Sequence, residues 1–301
     1  MTTEAPLARV LVLSDPQIGL YRAVFERGLA NSERLVAQGH DALELPEIVG
    51  HERERVLFGE AIDAANELRP DCVVVCGDMI QHWDSDEELG LVREIAGRLD
   101  PAIPIHWVPG NHDVAPDTFR PTPEALARYR ESFGPDRYST EHGRLRLVVI
   151  NSTSIDRPEL VLAERAANLE FLEAELAAAD RLDQVPIVCS HHPWFLDEHH
   201  PAASLALAPE QRQTLREIAQ TGNLQTLLAG HIHGNALDSM DGLQQITTTA
   251  VGLAPRADPS GYRMLKVFPD RVEHEARSLP SGVGLQDEAK RLWAARSLTV
   301  E

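Results

Sequence analysis

The sequence has few cysteines, no long apolar run and too few basic residues to balance its acidic ones. Three of the 301 residues are cysteine, Cys72, Cys76 and Cys189, which is too few for a full disulfide framework. Each lies in or beside an apolar run, where buried reduced thiols are common. The shortage of cysteine therefore favours a reducing compartment, and we expect the protein in the cytoplasm.

The apolar runs are too short for a membrane protein. The run at residues 72–76 is among the longest, and it falls far short of the ~20 residues that a membrane helix needs. The N-terminus does not combine a basic head, a long apolar stretch and a small-residue cleavage site. We therefore expect neither a secretion signal nor a membrane partner.

Basic residues are outnumbered by acidic ones, 28 to 47, which gives a formal net charge of −19. A charge of this sign disfavours nucleic acid as the main partner, because the phosphate backbone attracts basic surfaces. It does not exclude a local cationic site such as a bound metal. The composition, 43% hydrophobic and 25% charged, is that of an ordinary globular protein and does not indicate the oligomeric state.

Strand and helix patterns alternate along most of the chain. Short runs rich in Val, Leu and Ile, bounded by turn residues, predict strands at 8–14, 71–76, 103–108, 145–150, 185–190 and 225–229. Helical patterns are predicted at 52–68, 84–99, 122–133, 158–179 and 209–221. This alternation predicts βαβ units and a largely parallel sheet.

The pattern changes after Gly242. Strands follow one another there, at 243–251, 262–268 and 272–277, with no helix between them. This succession predicts an antiparallel sheet appended to the α/β half. The last periodic segment, 285–296, is predicted to form a final helix.

No linker is long enough to separate domains. We therefore expect one domain, 1–301, with 243–277 as its antiparallel part and 284–301 as a terminal helix and tail. Two polar, irregular segments, 39–55 and 195–208, are candidate surface flaps.

Five short polar motifs follow five of the apolar runs. In an α/β sheet, residues at the carboxyl ends of parallel strands converge on one edge, where ligands bind. Each motif alone is a weak signal, because a Gly-Asp or an Asn-His-Asp after a strand is more often a turn or a cap. Together, in this order and each at a strand end, they predict one functional site. The motifs are Asp15-Pro16-Gln17, Gly77-Asp78, Gly110-Asn111-His112-Asp113, His191-His192-Pro193 and Gly230-His231-Ile232-His233.

The side chains of these motifs form a ligand set for two divalent cations. Carboxylates, imidazoles and amide oxygens suit Mn, Fe, Zn or related ions. Two metals held ~3.5–4 Å apart can clamp a phosphoryl group and lower the pKa of a bound water. The sequence therefore predicts two divalent metal ions per chain and leaves their identity open.

The motifs resemble those of the calcineurin-like metallophosphoesterases, whose pattern is D-x-H, G-D, G-N-H-[DE], H and G-H-x-H. The resemblance spans residues 10–277. It is closest to a subgroup of calcineurin-like phosphoesterase-domain proteins that begins D-P-Q-[FI]-G-L, as residues 15–20 do here, and residues 247–261 also resemble that subgroup. The resemblance implies an α/β fold, a four-layer α/β/β/α sandwich of two mixed sheets flanked by helices.

The resemblance also implies roles for the motif residues. Asp15 and His233 would bind the first metal, and Asp78 would bridge both metals. The ligands of the second metal would be Asn111, His191 and His231.

Gln17 departs from the family pattern, which has His at this position in most members. An amide oxygen is a neutral, harder and generally weaker ligand than imidazole. We expect Gln17 still to reach the first metal, which would then bind more weakly or favour a harder ion such as Mn²⁺. The alternative is that Gln17 only hydrogen-bonds a metal-bound water.

The implied reaction is hydrolysis of a phosphate ester. A hydroxide supplied by the metals would attack phosphorus in line, and His112 would protonate the departing alkoxide. We expect Asp113 to accept a hydrogen bond from His112 and hold its tautomer. Gln81 and His82 would line the substrate pocket, and His192 would either contact substrate or pack.

Three arginines outside the motifs have two interpretations each, and one tryptophan has a single one. Arg120, Arg157 and Arg256 lie in predicted loops, where they are candidate phosphate clamps or ordinary solvated surface. Trp293 lies in an apolar pattern and is predicted to be core.

Three functions are compatible with this ligand set. The first is a phosphomonoesterase, either Ser/Thr-protein-phosphatase-like or acting on a small phosphorylated metabolite. The second is a phosphodiesterase on cyclic nucleotides or glycerophosphodiesters, because the same ligands serve both reactions. The third is a non-catalytic metal-binding scaffold, which normally accompanies lost ligands. Here one position departs, and His112 is kept.

Overall fold

In the computed structural model, which describes residues 4–298, two β-sheets pack face to face. The first sheet has three parallel strands, extended on one side by two antiparallel ones. Its strands are β1 (Ala8–Leu13), β2 (Cys72–Cys76), β3 (Ile105–Val108), β10 (Gly261–Val267) and β11 (Val272–Ser278). Their order across the sheet is β11-β10-β1-β2-β3.

The second sheet has four parallel strands between two antiparallel edge strands. Its strands are β4 (Tyr138–His142), β5 (Leu145–Val149), β6 (Val185–Cys189), β7 (Thr226–Ala229), β8 (Ala236–Met240) and β9 (Leu243–Thr247). Their order is β4-β5-β6-β7-β9-β8.

Helices connect most of the strands. The longer ones are α1 (Leu20–Ala37), α2 (Glu52–Leu68), α3 (Asp86–Ala96), α5 (Pro123–Phe133), α7 (Leu162–Arg181), α8 (Pro209–Thr221) and α9 (Pro280–Arg296). Two single-turn helices are α4 (Asn111–Val114) and α6 (Ser152–Asp156), and Ala203–Leu205 forms a 3₁₀ turn.

The hydrophobic core lies in three layers. Between the sheets, Val12 and Cys76 of the first pack with Leu147, Val149 and Cys189 of the second. Side chains of α1, α2 and α9 bury the outer face of the first sheet, and those of α7 and α8 bury the outer face of the second. Apolar side chains on both faces of each sheet are thus removed from contact with water. The burial of this apolar surface drives the layering. The four-layer α/β/β/α arrangement is confirmed.

The prediction of one appended antiparallel sheet after Gly242 is wrong in part. β10 and β11 do pair antiparallel, but β9 is not in the same sheet. β9 pairs in parallel with β7 inside the second sheet, whereas β10 pairs antiparallel with β1 in the first. Strand succession shows local conformation but not the partner strand, which tertiary packing decides. Segment 243–277 is therefore divided between both sheets.

Local sequence signals explain which helices could be predicted. Those at 52–68 and 209–221 have the predicted bounds. The helix α5 begins where Thr122 accepts a hydrogen bond from the Ala125 amide at 3.2 Å, with proline in the first turn. Others differ at their ends: α9, predicted from 285, already begins at Pro280.

The helix α1 was not predicted, because its start depends on a distant residue. It follows Gly19, which has φ +105° and no capping side chain. Instead, Oε1 of Glu54 in α2 accepts hydrogen bonds from the amides of Gly19 and Tyr21, at 3.1 and 3.0 Å. Because the capping side chain belongs to another helix, the sequence around Gly19 contains no capping signal.

Two predictions extend beyond the described residues. The ends of the predicted domain 1–301 and tail 284–301 include residues 1–3 and 299–301, which lie outside them. Between residues 4 and 298, the structure has no helix of the length and apolarity that a membrane crossing requires.

Candidate active site

Five parallel strands end at one place in the molecule. Asp15 and Asp78 follow β1 and β2, and Asn111 opens α4 just after β3, all in the first sheet. His191 and His231 follow β6 and β7 of the second sheet. The site therefore bridges the carboxyl edges of both sheets, where parallel strands present their ligands.

The backbone at this edge adopts a conformation that non-glycine residues rarely take. Five of the motif residues have positive φ angles: Asp15 (+47°), Gln17 (+37°), Asp78 (+51°), His231 (+69°) and His233 (+50°). Such conformations cost of order 1–3 kcal/mol each and persist where the surrounding structure imposes them, typically at functional sites.

Two motif glycines are required by close approach of other groups. A Cβ at Gly230 would overlap the Ser14 hydroxyl and lie 2.7 Å from Oδ2 of Asp15. A Cβ at Gly110 would overlap the carboxylate and amide of Asp78. These glycines let the loops that carry the histidines and the asparagine approach the carboxylates.

Ligand atoms of three residues converge on Nε2 of the fully buried His191. Oδ1 of Asn111 lies 2.9 Å from it, Nδ1 of His231 lies 3.0 Å from it, and Oδ2 of Asp78 lies 3.4 Å from it. The Asn111 amide nitrogen donates to the Thr118 carbonyl at 3.0 Å, which turns the amide oxygen towards His191.

These contacts fit a cation better than they fit hydrogen bonds. Nδ1 of His191 donates to the Cys76 carbonyl at 2.8 Å, so in a neutral ring Nε2 carries a lone pair. Burial lowers the pKa of His191, but the Asp78 and Asp15 carboxylates raise it to about 9. The two carboxylates thus favour positive charge at Nε2, and a metal ion bound there would take the place of the proton.

A second cluster lies around Asp15. Oδ1 of Asp15 is 3.5 Å from Nε2 of His233, whose Nδ1 donates to the Leu253 carbonyl at 2.5 Å. This hydrogen bond leaves Nε2 free to act as a ligand. The Gln17 amide nitrogen donates to Oε1 of Gln81 at 3.0 Å. Oδ1 of Asp15 and Oε1 of Gln17 are buried, and neither has a hydrogen-bond partner among the described residues.

Charge balance also favours cations here. Asp15, Asp78 and Asp113 are all buried. Burial raises the pKa of Asp15 and, with the nearby Asp78, that of Asp113 well above its usual range. Although burial opposes it, the His191 and His112 imidazoles hold the pKa of Asp78 below its usual range. Buried carboxylates are costly unless compensated, so this donor set fits two divalent metal ions.

His112 is positioned by backbone groups rather than by Asp113. Its Nδ1 lies 3.0 Å from the Gln81 carbonyl oxygen, and its ring lines the adjoining cavity. Asp113 instead accepts hydrogen bonds from the backbone amides of Met79 (2.9 Å) and Gly110 (2.8 Å). The predicted hydrogen bond between His112 and Asp113 is wrong: the main-chain carbonyl fixes the tautomer, and the carboxylate ties two loops together.

A cavity of about 750 Å³ opens beside the two clusters. Of the predicted substrate residues, Gln81 and His192 line it. Nδ1 of His192 lies 3.0 Å from the Ser152 hydroxyl, and burial and the neighbouring His191 lower the pKa of His192 to about 3.

Two other predicted residues are not part of this cavity. Nδ1 of His82 lies 2.6 Å from Oε1 of Glu88, and its side chain is 56% exposed, so the prediction that His82 lines the pocket is wrong. Arg120 pairs with Asp117 at 2.8 Å within its own exposed loop. Each is held by a carboxylate close by in sequence.

The cavity also contains residues that the motifs did not indicate. Arg157 and Arg256, two of the candidate clamps, line it, as do residues 203–208 of the predicted flap at 195–208 and the following Pro209. Trp293, predicted to be core, packs against the core with one part and lines the cavity with another. Arginines that were not predicted also line it: Arg27, Arg212 and Arg296.

A comparison of the sequence with known families decides the identity of this site. The profile described as calcineurin-like phosphoesterase matches residues 8–235, most of the chain and all five motifs. The chain belongs to the calcineurin-like phosphoesterase family. It is therefore a metal-dependent phosphoesterase, and the family expected from the motifs is confirmed.

Solved structures and curated proteins agree with this family. The phosphoesterase resembles a dimetal phosphatase from Danio rerio, with a TM-score of 0.62 over 91% of this chain and 96% of that one at 17% identity, which shows the shared fold. It is 28% identical over 249 residues to the human serine/threonine-protein phosphatase CPPED1, covering 79% of this chain and 78% of the relative.

A second type of relative has another activity. A cAMP/cGMP dual specificity phosphodiesterase of Mycobacterium tuberculosis is 26% identical over 242 residues, covering 75% of this phosphoesterase and 72% of that protein.

Proposed function

We propose that this phosphoesterase is a dinuclear phosphomonoesterase. The convergence of Asp78, Asn111 and His231 on Nε2 of His191 carries the proposal, because it places acceptor atoms around one point without enough protons to join them. Asp78 would bridge two metals. The other ligands would be Asp15, Gln17 and His233 at the first metal and Asn111, His191 and His231 at the second.

Two divalent metal ions, when bound here, would lower the pKa of a water and neutralise charge on the phosphoryl group. The residues of this chain would orient the ester. His112 would act as the imidazolium: Nδ1–H donates to the Gln81 carbonyl, and the proton on Nε2 would pass to the departing alkoxide, which leaves a neutral ring. Asp113 would act as a positioning residue, since it holds the amides of the loops that carry Asp78 and His112.

The substrate class follows from the similar proteins and from the cavity. Two of the similar proteins, a Ser/Thr protein phosphatase and a dimetal phosphatase, favour a monoester. The substrate would then be either a phosphoprotein or a small phosphorylated metabolite. Gln81 and His192 line the cavity and would contact the substrate.

A phosphodiesterase acting on cyclic nucleotides or glycerophosphodiesters is the second candidate. The mycobacterial relative supports it, at lower identity than the phosphatase relatives. The same metal ligands would serve either reaction, so only a comparison of substrates separates them.

The metals and the compartment are also proposals. Manganese suits the oxygen-rich first site if Gln17 is a ligand, and iron or zinc suits the histidine-rich second site. We propose the cytoplasm as the compartment, because all three cysteines are buried free thiols in this structure.

The first test combines metal analysis with two substrates. The purified protein should contain about two transition-metal ions per chain and hydrolyse p-nitrophenyl phosphate faster than its bis ester. Asp78→Asn should lose both metals and turnover, whereas Asp183→Asn, at an exposed aspartate paired with Arg144, should lose neither. Preference for the bis ester would favour the phosphodiesterase. Metal binding without turnover would favour the metal-binding scaffold, and absence of both with added Mn²⁺, Fe²⁺ or Zn²⁺ would contradict the dinuclear site.

A further inference from the structure

The cavity beside the metal clusters is rich in arginine, although the chain as a whole carries a net charge of −19. Among the described residues, the carboxylates that line it are Asp78, at the metal clusters, and Asp156, which pairs with Arg157 at 3.2 Å. The arginines that line it are Arg27, Arg157, Arg212, Arg256 and Arg296. Away from the metal clusters, the cavity is therefore positively charged.

Arg256 is held by a hydrogen bond to the backbone of the motif Gly230-His231-Ile232-His233. Its Nε donates to the carbonyl of Ile232, the residue between two candidate metal ligands. The side chain is half-buried, and burial lowers the pKa of its guanidinium. No carboxylate of residues 4–298 lies within 4 Å of it, so the two terminal nitrogens lack an ion partner there.

Arg296 is fixed on the same side of the cavity by an aromatic ring. Its guanidinium carbon lies 4.0 Å from the centroid of Trp293, whose ring centroid is 6.0 Å from that of His233. Burial and the neighbouring Arg27 lower the pKa of Arg296. Like Arg256, it has no ion-pair partner in the part of the chain that the structure describes.

The packing of α9 on α1 brings Arg296 and Arg27 together. Helix α9 approaches α1 so closely that a Cβ at Gly28 would lie 3.2 Å from that of Ala295. The side-chain amide of Asn31 donates to the carbonyls of Ala295 and Arg296, at 2.8 and 3.1 Å. This contact fixes the end of α9 that carries Arg296. The proximity of Arg296 to Arg27 therefore results from the packing of the two helices.

Arg256 and Arg296 are partly desolvated and have no carboxylate partner among residues 4–298, whereas Arg27 beside them is exposed. An anionic ligand would compensate the charge of the two half-buried guanidinium groups. Arg256, Trp293 and Arg296 also lie beyond residue 235, where the match to the family profile ends. They therefore lie outside the part of the chain that the family profile covers and supplement the metal ligands of the five motifs.

We propose that Arg256 and Arg296, with Arg27 beside them, bind a second anionic group of the substrate. This inference rests on the proposed phosphomonoesterase function and narrows its substrate to a small phosphate ester that also carries a carboxylate or a second phosphate. A small molecule is favoured over a phosphoprotein because residues 203–209 line the same cavity, whose volume of about 750 Å³ is typical of small-molecule sites.

Matched substrate pairs test the proposal. Glycerol 3-phosphate and 3-phosphoglycerate differ by one carboxylate, and glucose 1-phosphate and glucose 1,6-bisphosphate differ by one phosphate. The metal-loaded enzyme should prefer the second member of at least one pair by roughly tenfold or more in kcat/KM, the range expected for a charge-assisted hydrogen bond. Which pair responds shows whether the second group is a carboxylate or a phosphate.

The arginine variants should reduce that preference. Arg256→Ala and Arg296→Ala should each lower the ratio within the responding pair by about tenfold, mainly through KM. Arg256→Lys and Arg296→Lys should retain part of it, which separates loss of charge from misfolding. Arg181→Ala removes a charge from the exposed end of α7 and should leave the ratio unchanged.

Two results would overturn the proposal. One is the absence of the expected effect: either the wild-type kcat/KM ratio is near 1 in both pairs, or the arginine variants leave that ratio unchanged. The other is hydrolysis of acidic phosphoserine peptides far faster than of every small ester. If no monoester is hydrolysed, the proposed function fails. The arginines are then tested by calorimetric binding of 3-phosphoglycerate and pyrophosphate, which must weaken in both alanine variants.

Discussion

The backbone amide of His112 donates a hydrogen bond of 2.8 Å to Oδ1 of Asp78, so the proposed general acid and the proposed bridging ligand form one unit. Asp113 strengthens this unit, because its carboxylate accepts hydrogen bonds from the amides of Met79 and Gly110 on the same two loops. Any displacement of the carboxylate that holds the metals would therefore also move the group that protonates the leaving oxygen.

His112→Ala should distinguish leaving groups. Loss of a general acid should slow hydrolysis of an alkyl ester such as glycerol 2-phosphate by about 10²–10⁴-fold. An activated aryl ester such as p-nitrophenyl phosphate needs no proton and should lose much less. The measurement is kcat on both esters, with His199→Ala, at an exposed loop histidine, as control. Equal losses on both esters would argue against the acid role.

Gln17→His should alter metal affinity at the first site. The Gln17 amide oxygen is buried and has no hydrogen-bond partner among residues 4–298, as a metal ligand would. Imidazole is the stronger ligand for Zn²⁺, so the variant should bind one zinc roughly tenfold tighter, with the other site unchanged. Calorimetric titration measures both affinities. Gln220→His, on the exposed face of α8, is the control, and an unaltered first site would rule out the ligand role.

Gly230→Ala should damage the site without touching a ligand side chain. Its Cβ would overlap the Ser14 hydroxyl and crowd the Asp15 carboxylate, at a cost of about 1–3 kcal/mol in the free energy of unfolding. Metal affinity should fall too. Urea denaturation measures the first effect. Gly284→Ala in α9, where a Cβ meets nothing within 4 Å, should stabilise by about 0.5–1 kcal/mol. Equal stability of both variants would contradict the close approach at Gly230.

Glu54→Gln should change how stability depends on pH. Burial raises the pKa of Glu54 to about 7 from 4.5, even though backbone amides, including those of Tyr21 and Gly19, stabilise its charge. Between these values the folded protein binds more protons than the unfolded chain, so stability falls as pH rises. Its contribution is fully present below about pH 4.5 and is lost above about pH 7, up to about 3 kcal/mol in total.

The variant mimics the protonated acid. It should match the wild type at pH 4.5 and be the more stable of the two at pH 8, measured by urea denaturation across the range. Glu52→Gln in the exposed first turn of α2 should leave the pH profile as in the wild type. A constant difference between Glu54→Gln and wild type at all pH values would contradict the raised pKa.

The motif residues could be located from sequence because each follows a short apolar strand. Strand ends and turn residues are local signals, and the convergence of parallel strands is a general rule, so Asp15, Asp78 and His191 could be placed at one edge. The partner of His112 could not be predicted in this way. It is a main-chain carbonyl 31 residues away. Every residue has such a carbonyl, so the residue types in the sequence do not indicate which one is the partner.

The cationic side of the cavity could not be predicted either. Arg27 lies on a helix whose start depends on Glu54, and Arg296 lies on a helix whose position depends on Asn31. Neither contact follows a local pattern. His82 shows the opposite error: it follows a motif closely, but Glu88 holds its ring away from the cavity.

The pairing of β1 with β10 and of α1 with α9 joins the two ends of the chain. During synthesis the motifs up to His233 leave the ribosome well before residue 296 does. Until then, β1 lacks one neighbouring strand, and the cavity lacks the side that Trp293 and Arg296 form. The nascent chain can thus carry all its metal ligands while its substrate site is incomplete, so selective activity should begin only after the C-terminal helix has docked.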